Sequence, residues 1–164
     1  MRSCPASADI MTGPKIVVLG IGNPLRRDDG LGIRVVQIMQ SSPCYVGVDI
    51  IDGGTAPDLF SLLDESVGKL VIVDVLRGKG EPGNIYRLEI TEENISAQPS
   101  ASLHGLGVLD SLQLMVRLGM RPPEVIIIGV EPYDVANGLG LSPQMESLVP
   151  KVISEVEKEL GEPH

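Results

Sequence analysis

Short aliphatic runs alternating with amphipathic stretches set the pattern of this chain. Ile16-Val17-Val18-Leu19-Gly20 is apolar at nearly every position and closed by glycine, which predicts a strand buried on both faces. A loop through Asn23 and Pro24 leads into a helix predicted from about Asp28 to Gln40. Leu31, Val35, Ile38 and Met39 recur on it at helical spacing, and Pro43 lies beyond its end. Val46 to Ile51 reads as a second strand running into Asp52-Gly53-Gly54-Thr55. Pro57 suits the first position of a helix reaching about Glu65, because its missing N–H costs nothing there. Leu70-Val71-Ile72-Val73-Asp74 is a third strand that stops on an acid. Turn residues fill Gly78 to Gly83, and Ile85 to Ile90 alternates apolar with polar, as a half-exposed edge strand does. Residues 94–103 predict a segment without regular structure. His104 to Gly119 predicts a helix with Leu106, Leu109, Leu112 and Val116 on its stripe and Gly119 as C-cap. Val125 to Val130 is the last buried strand, leading into Glu131-Pro132. A closing helix from about Pro143 to Leu160 presents Met145, Leu148, Val152, Val156 and Leu160.

Strands alternating with helices imply a three-layer α/β/α sandwich with a mostly parallel sheet of about five strands. The chain has 164 residues, enough for one domain with a real core and too few for two ordinary ones. Its only aromatic residues are Tyr45, Phe60, Tyr86 and Tyr133, so the core must be built from Val, Ile and Leu. Residues 1–14 read as a disordered leader without the charged and apolar regions of a secretory signal, and 15–164 as a single α/β domain. Cys4 and Cys44 form no CxxC pair and are read as incidental thiols of a reducing compartment, so a cytoplasmic protein is expected. The net charge of −9, with no basic cluster beyond Arg26-Arg27, argues against nucleic acid as a partner. No run approaches the roughly 18 apolar residues that cross a membrane.

Ligands of open α/β sheets bind outside the carboxyl ends of the strands. That rule selects Asp28 and Asp29 after the first strand, Asp52 after the second, Asp74 at the end of the third and Glu131 after the last. His104 joins them only if the chain returns to that edge before the helix it opens. Asp29, Asp74 and His104 would form an O,O,N donor set suited to a borderline divalent ion such as nickel or zinc, with coordination positions left for water or substrate. Each residue also has a plain structural reading: Asp28 or Asp29 as a helix N-cap, Asp74 as a loop anchor, His104 as a cap. Other chemistries fit worse. There is no GxSxG elbow, and Cys44 has no basic neighbour in sequence. Gly20-Ile21-Gly22 is a poor dinucleotide fingerprint, because Leu25 stands where the third glycine belongs and Asp28-Asp29 would repel a pyrophosphate.

Four segments together resemble the hydrogenase maturation proteases. They are Gly20-Ile21-Gly22-Asn23-Pro24-Leu25-Arg26-Arg27-Asp28-Asp29-Gly30-Leu31-Gly32, Asp52-Gly53-Gly54-Thr55, Asp74 at its strand end, and Ser102-Leu103-His104-Gly105-Leu106-Gly107. Gly129-Val130-Glu131-Pro132 resembles a late element of the same family, and the likeness runs over about residues 16–160. The resemblance implies an endopeptidase that removes the C-terminal extension of a nickel–iron hydrogenase large-subunit precursor after nickel insertion. It carries the metal-binding positions to Asp29, Asp74 and His104 and gives Asp52 a part in substrate handling or cleavage. The nickel is either the substrate's own or an ion held by the protease. A monomer without nucleic-acid partner or membrane insertion is expected. Two other readings stay open: a non-catalytic nickel- or precursor-binding accessory protein, and a peptidyl-tRNA hydrolase. The latter has a similar opening but needs a histidine soon after Asn23-Pro24, where this chain has none.

Overall fold

The structure is a computed structural model describing residues 13–97 and 106–161. Five strands, β1 (Lys15–Gly20), β2 (Val48–Asp52), β3 (Val67–Val75), β4 (Ile85–Ile90) and β5 (Glu124–Val130), form one sheet in the order β2-β1-β3-β5-β4. The first, second, third and fifth run parallel, and β4 closes the edge antiparallel to β5. The helices are α1 (Leu31–Gln40), α2 (Leu59–Leu62), α3 (Glu92–Ala97), α4 (Leu106–Arg117) and α5 (Pro143–Gly161). The expected α/β/α sandwich with a mostly parallel five-stranded sheet is therefore the observed one.

The continuous apolar runs divide by parity. Val18, Val71, Val73, Val75, Ile126, Ile128 and Val130 pack with α1 and α5. Val17, Leu19, Leu70, Ile72, Val125 and Ile127 pack with Leu59 of α2 and Val108, Leu112 and Met115 of α4. Side chains alternate across a strand, so covering both faces requires apolar residues at both parities. After β1 the chain crosses by α1 to β2 on one side, then returns by α2 to β3 on the other. The switch point thus lies between the carboxyl ends of β1 and β3.

Several boundaries differ from the sequence reading. The predicted helix from Pro57 to Glu65 shrinks to Leu59–Leu62, because Asp58 is its N-cap, accepting from the Phe60 N–H at 3.1 Å, and Leu63 returns to extended backbone. Residues 92–97 are helical where no element was expected, with the Thr91 hydroxyl accepting from the Asn94 N–H at 3.3 Å. On α4 the inward stripe is Val108, Leu109, Leu112 and Met115, and Val116 is exposed. On α1, Ile33 and Val36 are buried while Ile38 is only half-buried. Helix α5 continues through Pro150, an interior position that removes one backbone donor. Pro14, placed in the leader, already packs on Gly68; residues 1–12 lie outside the described residues. Cys44 is disulfide-bonded and not an incidental free thiol; Cys4 lies outside the described residues. No described helix is long and apolar enough to cross a membrane.

The amino edge of the sheet carries an ion cluster. Lys69 is nearly buried and lies 2.9 Å from Glu159 and 3.7 Å from Glu124, and Arg87 pairs with the same Glu159. Burial pushes the Glu159 carboxyl up, but hydrogen bonds from Arg87 and Lys69 and their charges outweigh it and hold the group below the usual glutamate range. A depressed carboxyl stabilises the fold above its unfolded value, and that stability drains away as pH falls through the folded one. Glu159→Gln is therefore expected to lower the melting temperature at pH 7 and to converge on the parent as pH drops below about 4. Melts at pH 7, 5, 4 and 3 check this; parallel curves at every pH would contradict it.

Candidate active site

The carboxyl edge is built from loops stitched to one another. The turn after β1 is tied to β3 by the Ile21 N–H donating to the Val73 carbonyl at 3.0 Å, and to the loop after β2 by Gly22 N–H to the Gly54 carbonyl at 2.9 Å. Two glycines permit this contact. A Cβ on Gly32 would sit 2.3 Å from the Val73 oxygen, and one on Gly22 would sit 2.0 Å from the Asp29 oxygen. Backbone therefore lies directly on backbone at the switch point, as only glycine allows.

Between them, Arg27–Gly30 forms a single 3-10 turn that Arg27 enters with φ +45°. Both acids of that turn are fully buried, and neither caps α1, whose N-cap is Gly30 without a side-chain bond. The N-cap alternative for this pair does not hold. Asp28 instead clamps the loop from β5 to α5. Its Oδ2 accepts from the N–H groups of Tyr133 and Asp134 and the hydroxyl of Ser142, each at 2.9 Å, and its Oδ1 accepts from the Ser142 N–H at 2.6 Å. Asp29 has a cation at the site: Nη2 of Arg77 lies 3.3 Å from its Oδ1.

Asp74 is 1% exposed, and its Oδ1 accepts from the Val75 N–H at 2.7 Å. Its parity is that of Leu70 and Ile72, so its side chain leaves the sheet on the face covered by α2 and α4. Its register partner on β5 is Gly129, which adds no side chain beside it. Asp52 ends β2 opposite Gly20, is exposed, and accepts from the Gly54 N–H at 3.0 Å. Glu131 is not a loose acid of the edge: its two oxygens accept from the Gly78 and Lys79 N–H groups at 2.8 and 2.9 Å, fixing the loop that carries Arg77.

His104 lies outside the described residues. Helix α4 begins two positions later at Leu106 and is joined by a short connection at its other end to the start of β5. It thus runs antiparallel to β5, and its first turn reaches the carboxyl edge on the face that Asp74 enters. Among the described residues no three acidic, thiol or imidazole groups form a metal-sized cluster. Asp29 and Asp74 nevertheless supply two buried carboxylates at one switch point, an anionic oxygen donor pair that fits a divalent ion needing one further ligand. Sequence reasoning missed Arg77 and the clamping work of Asp28 and Glu131. For Arg77 the one available sign was a cation three positions after a strand-end acid.

Comparisons with known proteins agree with this architecture. The hydrogenase maturation protease family model matches residues 33–159, a span that includes Asp52, Asp74 and position 104 and begins just after Asp29. The Hydrogenase 2 maturation protease of Escherichia coli (strain K12) is 31% identical over 148 residues, covering 87% of this chain and 88% of that protein. The coenzyme F420 hydrogenase subunit delta of Methanothermobacter thermautotrophicus is 31% identical over 163 residues, covering 90% and 95%. Among solved structures, the hydrogenase maturating endopeptidase HybD from E. coli superposes with a TM-score of 0.76 at 29% identity, covering 89% of this chain and 91% of that one. The NiFe hydrogenase maturation protease HybD from Thermococcus kodakarensis gives 0.71 at 25% identity, covering 90% and 99%. With its fold, its span and its relatives in accord, this chain is a hydrolase and belongs to the hydrogenase maturation protease family.

Proposed function

We propose that this protein removes the C-terminal extension from the large-subunit precursor of a nickel–iron hydrogenase, and that Asp29, Asp74 and His104 recognise nickel already seated in that precursor. The observation that carries the reading is the pair of buried carboxylates, Asp29 and Asp74, brought to one switch point by glycine-mediated backbone contact. Asp29 already meets Arg77, and Asp74 the Val75 N–H. A divalent ion entering with the substrate takes both carboxylates as anionic oxygen donors, with His104, two positions before α4, as the third donor. The same set accepts zinc, so nickel specificity comes from what the precursor carries rather than from these ligands alone.

On this reading the protease holds no permanent metal. The precursor's nickel aligns its own C-terminal segment, and the scissile peptide lies along the mouth where Asp52 is exposed. Asp52 is fixed by the Gly54 N–H and contacts the peptide or the attacking water. Hydrolysis adds the water oxygen to the peptide carbonyl, breaks the C–N bond and leaves the proton on the new amine. Substrate-borne metal is economical, because it ties cleavage to completed nickel insertion.

Purified protein mixed with nickel-loaded and nickel-free precursor, followed by intact mass, tests the proposal. Loss of the C-terminal tail from the loaded form alone is expected. Equal cleavage of both forms would remove the sensing role, and no cleavage of either would favour an accessory protein that binds without cutting.

A further inference from the structure

Among the described residues Arg77 is the cation that reaches buried Asp29, and no motif accounts for it. It sits on the loop after β3, three positions beyond Asp74. Its backbone is pinned on both sides: the Leu76 N–H donates to the Val130 carbonyl at 3.0 Å, and Gly78 and Lys79 donate to Glu131. From that anchor the guanidinium reaches Asp29. The two side chains differ sharply in exposure, 37% for Arg77 against 0% for Asp29. Their separation of 3.3 Å exceeds the roughly 2.7–2.9 Å of a tight charge-assisted contact. A fully buried carboxylate needs hydrogen-bond donors or a positive partner, and one such partner reaches Asp29 from the solvent side on a long, flexible stem. A divalent ion on Asp29 would take the lone pairs that Arg77 approaches and would repel its charge. Guanidinium and metal therefore compete for one carboxylate.

We propose that Arg77 is a displaceable counter-ion of Asp29. It neutralises that carboxylate in the resting enzyme, swings toward solvent when the precursor presents its metal, and so weakens the capture of free ions. The inference rests on Asp29 and Asp74 being metal ligands. It deepens that reading by giving the site a means to prefer metal held in a substrate over metal in solution. Arg77 acts through Asp29 and is a positioning residue, not a catalytic one.

The test is calorimetric titration of the full chain with nickel chloride, comparing the parent protein with Arg77→Gln, Arg77→Lys and Asp74→Asn. Arg77→Gln is expected to bind nickel about tenfold more tightly, Arg77→Lys to stay near the parent, and Asp74→Asn to bind more weakly. A merely structural arginine would not give tighter binding when removed. Should Arg77→Gln fail to fold, the parent alone decides the matter. Phenylglyoxal modification mapped to Arg77 by peptide mass should then accelerate several-fold on adding nickel. Equal affinity of parent and folded Arg77→Gln, or modification that does not accelerate, overturns the counter-ion role while an Asp74-dependent site survives. Binding indifferent to Asp74→Asn overturns the ligand reading itself, and the inference with it.

Discussion

Asp74→Asn should abolish processing of the nickel-loaded precursor while leaving the fold intact. The substitution keeps size and shape, and the amide oxygen can still accept from the Val75 N–H that now donates at 2.7 Å. What disappears is the negative charge, in a position 1% exposed where water cannot compensate. Altering groups that merely support a ligand costs about 10–100-fold, so loss of a ligand should cost about 100-fold or more. The melting temperature should fall by no more than about 4 °C, the equivalent of roughly 1 kcal/mol in a domain of this size. Intact-mass assays of the precursor and thermal melts separate the two effects. Full processing by the folded variant would strike Asp74 from the ligand set.

Asp28→Ala should give the largest loss of stability among single changes at this edge, although Asp28 is not among the proposed ligands. Its carboxylate accepts four hydrogen bonds from a single distant loop, three of them from backbone N–H groups. Alanine leaves those donors, two buried and two part-buried, without their acceptor, which should cost about 3–5 kcal/mol, a large share of the roughly 5–15 kcal/mol that holds a domain together. Asparagine is no rescue. Both carboxylate oxygens accept N–H donors, so an amide nitrogen must face at least one of them, and a loss of about 2–3 kcal/mol is expected. Urea unfolding measures both. A change under about 1 kcal/mol for Asp28→Ala would mean that the loop from β5 to α5 is held by other contacts.

The sequence reading and the structure agree where a residue's neighbours along the chain decide its state. The aliphatic runs became strands within one to three residues of their expected ends. The alternating segment Ile85–Ile90 became the antiparallel edge strand it resembles. Disagreement came where distant contacts decide. Helix α2 stops at Leu62 because Leu63 must turn into the core beneath it. The stripe of α4 is rotated from Val116 toward Val108 and Met115 because its packing against the sheet, not its own periodicity, selects the face.

The site divides along the same line. That acids cluster at strand ends, and that the chain resembles one protease family, is readable from residue order alone, because strand ends and motif spacings are local properties. What separates Asp28 from Asp29 is not. They are the same residue one position apart, and the turn entered through left-handed Arg27 sends one to a clamp and the other toward Arg77. The partners that distinguish them lie 105 to 114 positions away for Asp28 and 48 for Asp29. Local sequence determined the elements and the acids at their ends. Only the packed tertiary structure decided which acid is clamped and which is held ready, because that depends on groups the chain brings together after it has folded.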